Sequence, residues 1–439
     1  MAQRLISDGP TAAALRKVEG PADPGSGLGG KQPTLRAETF RDPMACRRQA
    51  SGAVVCVEAR RIRVLHVLWS LNRGGIETWL KQVLSKIDRG RFEMDFLVHT
   101  DRSCAYEADV RAHGAKILRC PRPLRPLSYA RDFFRILREN GPYQIVHAHT
   151  HFYSGFVLRL ARLAGVPVRI AHSHSDKRPT QGEAAPYQKL YRLAMRRWIE
   201  RHAMAGLAAS REAASDLFGT RWAEAGPWRV LHCGIDLGPF LDGRRNARLR
   251  EEFGIPADAK VVGHVGRFVP QKNHMFLLEA LAHAMARDRN LWALLVGDGP
   301  LRDPAQRRAR ALGIDDRVVF AGERGDVAEL MLGAMDVFVF PSLVEGLGIV
   351  LLESQAAGLP CVISDVVPHE VEAVPGLLER IPLSRGVEEW AEAILAAARR
   401  PRPVDQRTAV RTLQGSSFDL EVCVRTLERF YTDCVRSAS

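Results

Sequence analysis

The feature that most constrains this chain is an alternation of short apolar strand patterns with amphipathic helical ones, which runs through it twice. The first series opens at Ile62-Arg63-Val64-Leu65-His66-Val67-Leu68, followed by Asn72-Arg73-Gly74-Gly75 and a helical pattern from about Ile76 to Ile87. Strand patterns recur over 92–99, 116–119, 145–149 and 168–172, with helical patterns over 105–113, 129–140 and 154–164 between them. Such strands, separated by helices, predict a parallel sheet covered on both faces. Ala208-Ala209-Ser210-Arg211-Glu212 reads as a strand end running into a capped helix. A second series begins after Val230, with strand patterns over 261–265, 292–296, 318–320, 337–340 and 361–363. The expected fold class is therefore α/β, with two Rossmann-like parallel-sheet domains facing a cleft. They would occupy 61–230 and 231–415, with a C-terminal helix over 416–439 packing back on the first. Residues 1–60 are rich in Gly, Pro, Ala and Arg without any period, and are read as a disordered or mis-annotated extension.

Composition narrows the class. The chain has 439 residues, enough for two or three domains, and no apolar stretch approaches the roughly 18 to 20 residues of a spanning helix. No apolar segment follows the N-terminus, so no signal peptide is expected. Eight scattered cysteines without a C-x-x-C pair suit reduced thiols in the cytosol better than a zinc site or a disulfide framework. The net charge is +13, unevenly spread. Residues 62–230 carry 28 basic and 15 acidic side chains, net +13, while residues 231–439 carry 25 and 29, net −4. A surplus across a whole α/β half, with no recognition module, speaks against nucleic acid and for an anionic acceptor or membrane surface.

Three segments of the second half carry chemistry. In Gly266-Arg267-Phe268-Val269-Pro270-Gln271-Lys272 a strand runs out at the carboxyl end of the sheet, where two cations could neutralise a departing diphosphate. Gly297-Asp298-Gly299-Pro300 is a strand followed by a tight turn. In Pro341-Ser342 through Glu345-Gly346-Leu347-Gly348 to Glu353 a strand ends, a glycine turn follows and a helix opens. Backbone N–H groups at such a helix start suit a phosphate or a sugar hydroxyl, and both carboxylates could face one cleft.

The order and spacing of these segments, with Ala356, Gly358 and Pro360 behind them, resemble the retaining glycosyltransferases of the GT-B fold, family 4. The likeness covers residues 62–400. It implies a nucleotide-sugar donor, UDP-linked by family habit, and no metal cofactor, Arg267 and Lys272 replacing the cation. It implies that Gly266, Arg267, Lys272 and Gly297 bind the donor. Glu345, with the backbone of Gly346, Leu347 and Gly348, would hold the donor sugar, and Glu353 the ribose hydroxyls. Gly74 and Gly75 match the family's glycine loop, which approaches a phosphate or the acceptor. A strand-end histidine near the anomeric centre is expected, His174 being favoured over His172. The catalytic set implied is Glu345, His174, Arg267 and Lys272. The family's P-N-G-[IV]-D hinge is altered here to His232-Cys233-Gly234-Ile235-Asp236.

His147, His149 and His151 would share one face of an extended strand, which invites a metal reading. Strand-end histidines lining the acceptor cleft, His149 among them, are the reading taken, and no metal site is expected. Two stretches, 131–138 and 187–201, interleave cations with aromatic and aliphatic residues at helical spacing, as in a helix that lies on an anionic membrane. The expectation is a cytoplasmic glycosyltransferase, peripheral on the inner face of the membrane, acting on a glycan or lipid-linked acceptor in exopolysaccharide or capsule biosynthesis. A nucleotide-sugar epimerase or phosphorylase of the same fold, or a non-catalytic glycan-binding homologue, are the alternatives.

Overall fold

The computed structural model describes residues 47–48, 54–55, 61–174, 186–241 and 248–439. The chain divides into two units, Met1–Glu58 and Ala59–Ser439. In the first, Arg47–Arg48 pairs antiparallel with Val54–Val55. The expectation for the rest of 1–60 lies outside the described residues.

The larger unit holds two parallel sheets. The first has seven strands, in the spatial order Ile117–Arg119, Phe92–Val98, Ile62–Leu68, Ile145–Ala148, Val168–Ser173, Ala205–Ala208, Trp228–Val230. The second has six, in the order Val318–Gly322, Leu291–Val296, Lys260–Val265, Val337–Phe340, Cys361–Ser364, Leu378–Ile381. Central strands such as Ile145–Ala148 and Val337–Phe340 are buried along their whole length. That is what helices on both faces require, and it is why these strands read as continuous apolar runs. The outermost strands of the order, Trp228–Val230 and Leu378–Ile381, were not among the expected ones; each is short and partly exposed, so no apolar run marks it.

The segment joining the sheets is crossed by the returning chain. Ile235 donates its N–H to Phe418 O (2.9 Å) and accepts from Leu420 N–H (3.1 Å). At Gly234 a Cβ would stand 2.8 Å from the Leu420 Cα, so the crossing needs glycine. Asp419 then caps the helix Leu420–Ala438, its side chain accepting from Glu421 N–H. That helix lies against helix Gly75–Lys86 and strand Val168–Ser173, burying Leu427 and Tyr431. Ion pairs Lys86–Glu421 and Arg91–Glu428 edge the contact.

Candidate active site

Each sheet reverses its order of growth once, between Ile62–Leu68 and Ile145–Ala148 in the first and between Lys260–Val265 and Val337–Phe340 in the second. Ligands of open α/β sheets bind beyond the carboxyl ends of the strands at that point. The loops leaving these strands, 69–75, 149–153, 266–272 and 341–348, carry most of the residues singled out in the sequence.

In the second sheet three of these segments are tied together. Gly266 N–H donates to Val296 O and Phe268 N–H to Asp298 O, each at 2.9 Å, so the Arg267 loop rests on the next strand's turn. Gly297 and Gly299 have φ of 132° and 152°. A Cβ on Gly297 would collide with the Gly266 carbonyl, and one on Gly299 would stand 2.7 Å from that of Phe268. The structure thus places Gly297 as a support beneath the loop. Leu343 N–H donates to Gln271 O (2.8 Å), drawing the 341–348 loop alongside. The result is an ion pair between Lys272 Nζ and Glu345 Oε1 at 2.6 Å, the ammonium also lying 4.5 Å from the Phe340 ring centre. With side chains 20% and 10% exposed, the pair is poorly screened, and removing one member costs roughly 3–5 kcal/mol by stranding the other. Arg267 is exposed at the loop tip.

Gly348 adopts φ 81° and starts the helix Ile349–Ala356, which carries Glu353 one turn in. Gly346 and Leu347 are buried, and the Gly346 carbonyl accepts from Ser210 Oγ of the first sheet's half. Burial pushes the Glu353 carboxyl up to about 7. Its charge bears on Tyr106, whose hydroxyl lies 2.8 Å from Thr78 Oγ1.

From the first half, the glycine loop meets these groups. Gly74 caps helix Gly75–Lys86 in an extended conformation, and a Cβ there would run into the Glu77 carboxylate. A Cβ on Gly75 would make an ordinary 3.5 Å contact with Ile349. Burial raises the Glu77 carboxyl, while its own backbone N–H and the Arg267 guanidinium oppose the rise. Arg73 reaches Glu323 at 3.7 Å, and Arg211 N–H donates to Glu370 Oε2 at 2.8 Å. Glu77, Tyr106 and Ser210 were not singled out from the sequence as site residues. For Glu77 the one available signal was its position two residues after Gly75.

The histidines depart from the simple strand reading. His151 has φ 55°, turns out of the row and sits 2.9 Å from Asp216 Oδ2, so it does not share a face with His147 and His149. His149 faces His174 instead, Nδ1 to Nε2 at 2.8 Å, and the His172 and His174 ring centres lie 3.9 Å apart with the rings tilted by 30°. His66, His147 and His172 are fully buried, Trp79 standing edge-on over His172; His174 is part-exposed at the strand's end. Of the two expected candidates, only His174 reaches the surface. Desolvation of its largely enclosed ring, with His151 adding to it, drives the His174 imidazole down to about 3, and full burial does the same to His66. Cys233 of the altered hinge lies 3.7 Å from His174 Nδ1.

The basic helices differ from each other. In Pro126–Asn140, Tyr129, Phe133, Ile136 and Leu137 are buried, so the 131–138 stretch turns its apolar face inward rather than outward to a membrane. In Pro186–His202 only Met195 and Ile199 are buried, while Tyr187, Leu190, Tyr191 and Leu193 are exposed among cations. Among the described residues no helix is long and apolar enough to cross a membrane.

Comparison with known proteins covers both halves. Residues 74–234 match the family model described as glycosyl transferase 4-like domain, and residues 246–401 that described as glycosyl transferases group 1. EpsF of Bacillus subtilis strain 168, itself a candidate glycosyltransferase, is 39% identical over 373 residues, spanning 84% of this chain and 96% of the relative. An Escherichia coli UDP-Gal:alpha-D-GlcNAc-diphosphoundecaprenol alpha-1,3-galactosyltransferase is 25% identical, spanning 70% of this chain and 80% of the relative. The crystal structure of Anabaena HepE with UDP and glucose superposes with a TM-score of 0.68 at 21% identity, covering 85% of this chain and all of the other.

Proposed function

The chain belongs to the glycosyl transferases group 1 family and is a glycosyltransferase of the GT-B fold; from that premise we propose a retaining, metal-independent enzyme that takes its sugar from a UDP-sugar. The observation that carries the proposal is the Lys272–Glu345 pair, formed from the loop that also carries Arg267 at the carboxyl end of the second sheet. Breaking a nucleotide–sugar bond leaves negative charge on a diphosphate, and preorganised cations stabilise it without reorganisation at the moment of reaction. Arg267 and Lys272 supply two such charges, so the diphosphate needs no metal ion. A donor entering there gives Lys272 a second anionic partner and frees a Glu345 oxygen for sugar hydroxyls. Glu353, in its ionised form, accepts from the ribose hydroxyls. The acceptor enters from the first half, past Gly74, Gly75 and the exposed edge of His174, and attacks on the face the diphosphate leaves. That same-face attack retains the anomeric configuration, and a donor phosphate oxygen takes the acceptor proton.

A UDP carrier is supported by the Escherichia coli relative, named for a UDP-Gal donor, and by the UDP in the HepE complex. That relative's acceptor is a sugar on diphosphoundecaprenol, which supports a lipid-linked acceptor here and a role in exopolysaccharide or capsule assembly. The exposed apolar and basic face of Pro186–His202 then rests on the inner face of the cytoplasmic membrane.

Thermal shift with UDP, GDP, ADP and their sugar derivatives in excess chelator tests the donor reading, because a ligand bound only by the native state raises its apparent stability. UDP and one UDP-sugar should raise the midpoint with chelator present. No shift with any nucleotide, or a shift that requires added Mg2+ or Mn2+, would overturn it. Anomeric analysis of the product by NMR tests retention, and conversion of the UDP-sugar to its epimer without transfer to the acceptor would point to an epimerase.

A further inference from the structure

We propose that His149, His172 and His174 form a site for one divalent transition-metal ion of the Zn2+ kind, seated in the first domain. One ring nitrogen from each lies within 4.8 Å of the other two. The pair His149 Nδ1 and His174 Nε2 is already at 2.8 Å, and His172 Nε2 is buried with no hydrogen-bond partner among the described residues. Two ligands at the usual Zn–N length of about 2.0–2.1 Å in a tetrahedron stand roughly 3.3 Å apart, so small ring rotations open the site.

The ring nitrogens that face away from this point are the stronger argument. A metal-bound imidazole needs its second nitrogen protonated and donating, and such outer partners fix ring orientation and raise affinity. His149 Nε2 lies 3.0 Å from His66 Nδ1. His172 Nδ1 lies 3.1 Å from His147 Nε2, and His147 Nδ1 lies 2.7 Å from the Tyr431 hydroxyl of the C-terminal helix. His174 Nδ1 points to Cys233 Sγ at 3.7 Å. Every ligand thus has a neighbour behind it, and one ion would set the tautomers of five rings, the three ligands together with His66 and His147. The proton now shared between His149 Nδ1 and His174 Nε2 moves to an outward-facing ring nitrogen on binding, with no net gain or loss of protons. The other close trio, His66, His147 and His149, is the poorer site: both nitrogens of His147 are already engaged, and neither His66 nor His147 has any exposure. The chosen trio opens toward solvent at His174, which leaves a route of entry and a fourth position for water.

The site shares His174 with the proposed acceptor path but no residue with the diphosphate, which is placed on Arg267 and Lys272 of the other half. The test therefore reads metal binding without reference to turnover. The full chain, free of affinity tag and stripped with chelator, is titrated with Co2+, whose visible absorption distinguishes four-coordinate nitrogen sites from loosely held octahedral ones. One equivalent should bind with intense four-coordinate bands, be displaced by Zn2+, and raise the unfolding midpoint. His174→Gln, at a strand end and with folding checked by circular dichroism, should abolish the bands. His66→Gln, behind His149, should weaken binding about 10–100-fold while keeping them. Absence of the bands in the wild-type chain, or bands that persist unchanged in His174→Gln, would overturn the proposal.

Discussion

Glu353 offers a quantitative test of the donor pocket. Its carboxyl, pushed up to about 7 by burial, is close to half protonated at neutral pH in the empty protein. A ribose whose two hydroxyls donate to it selects the carboxylate. Binding nucleotide then lowers its pKa, and affinity rises with pH while the empty protein still holds the proton. The sign is fixed: the free state binds more protons than the complex, so binding tightens upward through about 7 and levels off above it. The ionised fraction climbs from about a tenth near pH 6 to about nine-tenths near pH 8, which makes UDP roughly tenfold tighter at the higher pH, about 1.4 kcal/mol. Calorimetry in two buffers of different ionisation enthalpy reads the affinity and the released proton together. Titration of UDP itself contributes equally to Glu353→Gln, so the difference between wild type and variant isolates the residue. Equal pH dependence in the two proteins, or tighter binding at low pH, would refute the placement of Glu353 against the ribose.

Three further outcomes follow. Gly297→Ala places a side chain at φ 132° against the Gly266 carbonyl, so the Arg267 loop must move; kcat/KM should fall on the order of a hundredfold with little change in far-UV circular dichroism. Gly234→Ala pushes a methyl against the Leu420 backbone and should destabilise the chain by about 1–3 kcal/mol, read as a lower midpoint in urea. Vesicles rich in anionic lipid should sediment the protein in low salt, and the combined change of exposed Leu190 and Leu193 to Glu should abolish this; sedimentation equal to wild type would remove that helix from the membrane reading.

Much of this was legible because parallel sheets buried on both faces leave a direct trace. Strands such as Ile145–Ala148 and Val337–Phe340 are apolar throughout, and the loops behind them hold glycines at positions the backbone requires. Resemblance to the family located Lys272 and Glu345, but not their pairing, which joins residues 73 apart and depends on strand order in the second sheet. Contacts between distant parts left no local trace at all. Tyr431 reaches His147 across 284 positions, and Ser210 reaches Gly346 across 136. The one face that an extended strand would give His147, His149 and His151 is broken for a local reason. A left-handed turn at His151 sends that ring to Asp216, and the place beside His149 is taken by His174 from the neighbouring strand.

Transfer of labelled sugar from UDP-sugar to a lipid-linked glycan acceptor, measured with chelator present, tests the central claim most directly. Wild type should transfer label to the acceptor, whereas Lys272→Ala and Glu345→Gln, each confirmed as folded by its unfolding midpoint, should lose transfer. Turnover retained in both variants would contradict the assignment of the ion pair to the donor site.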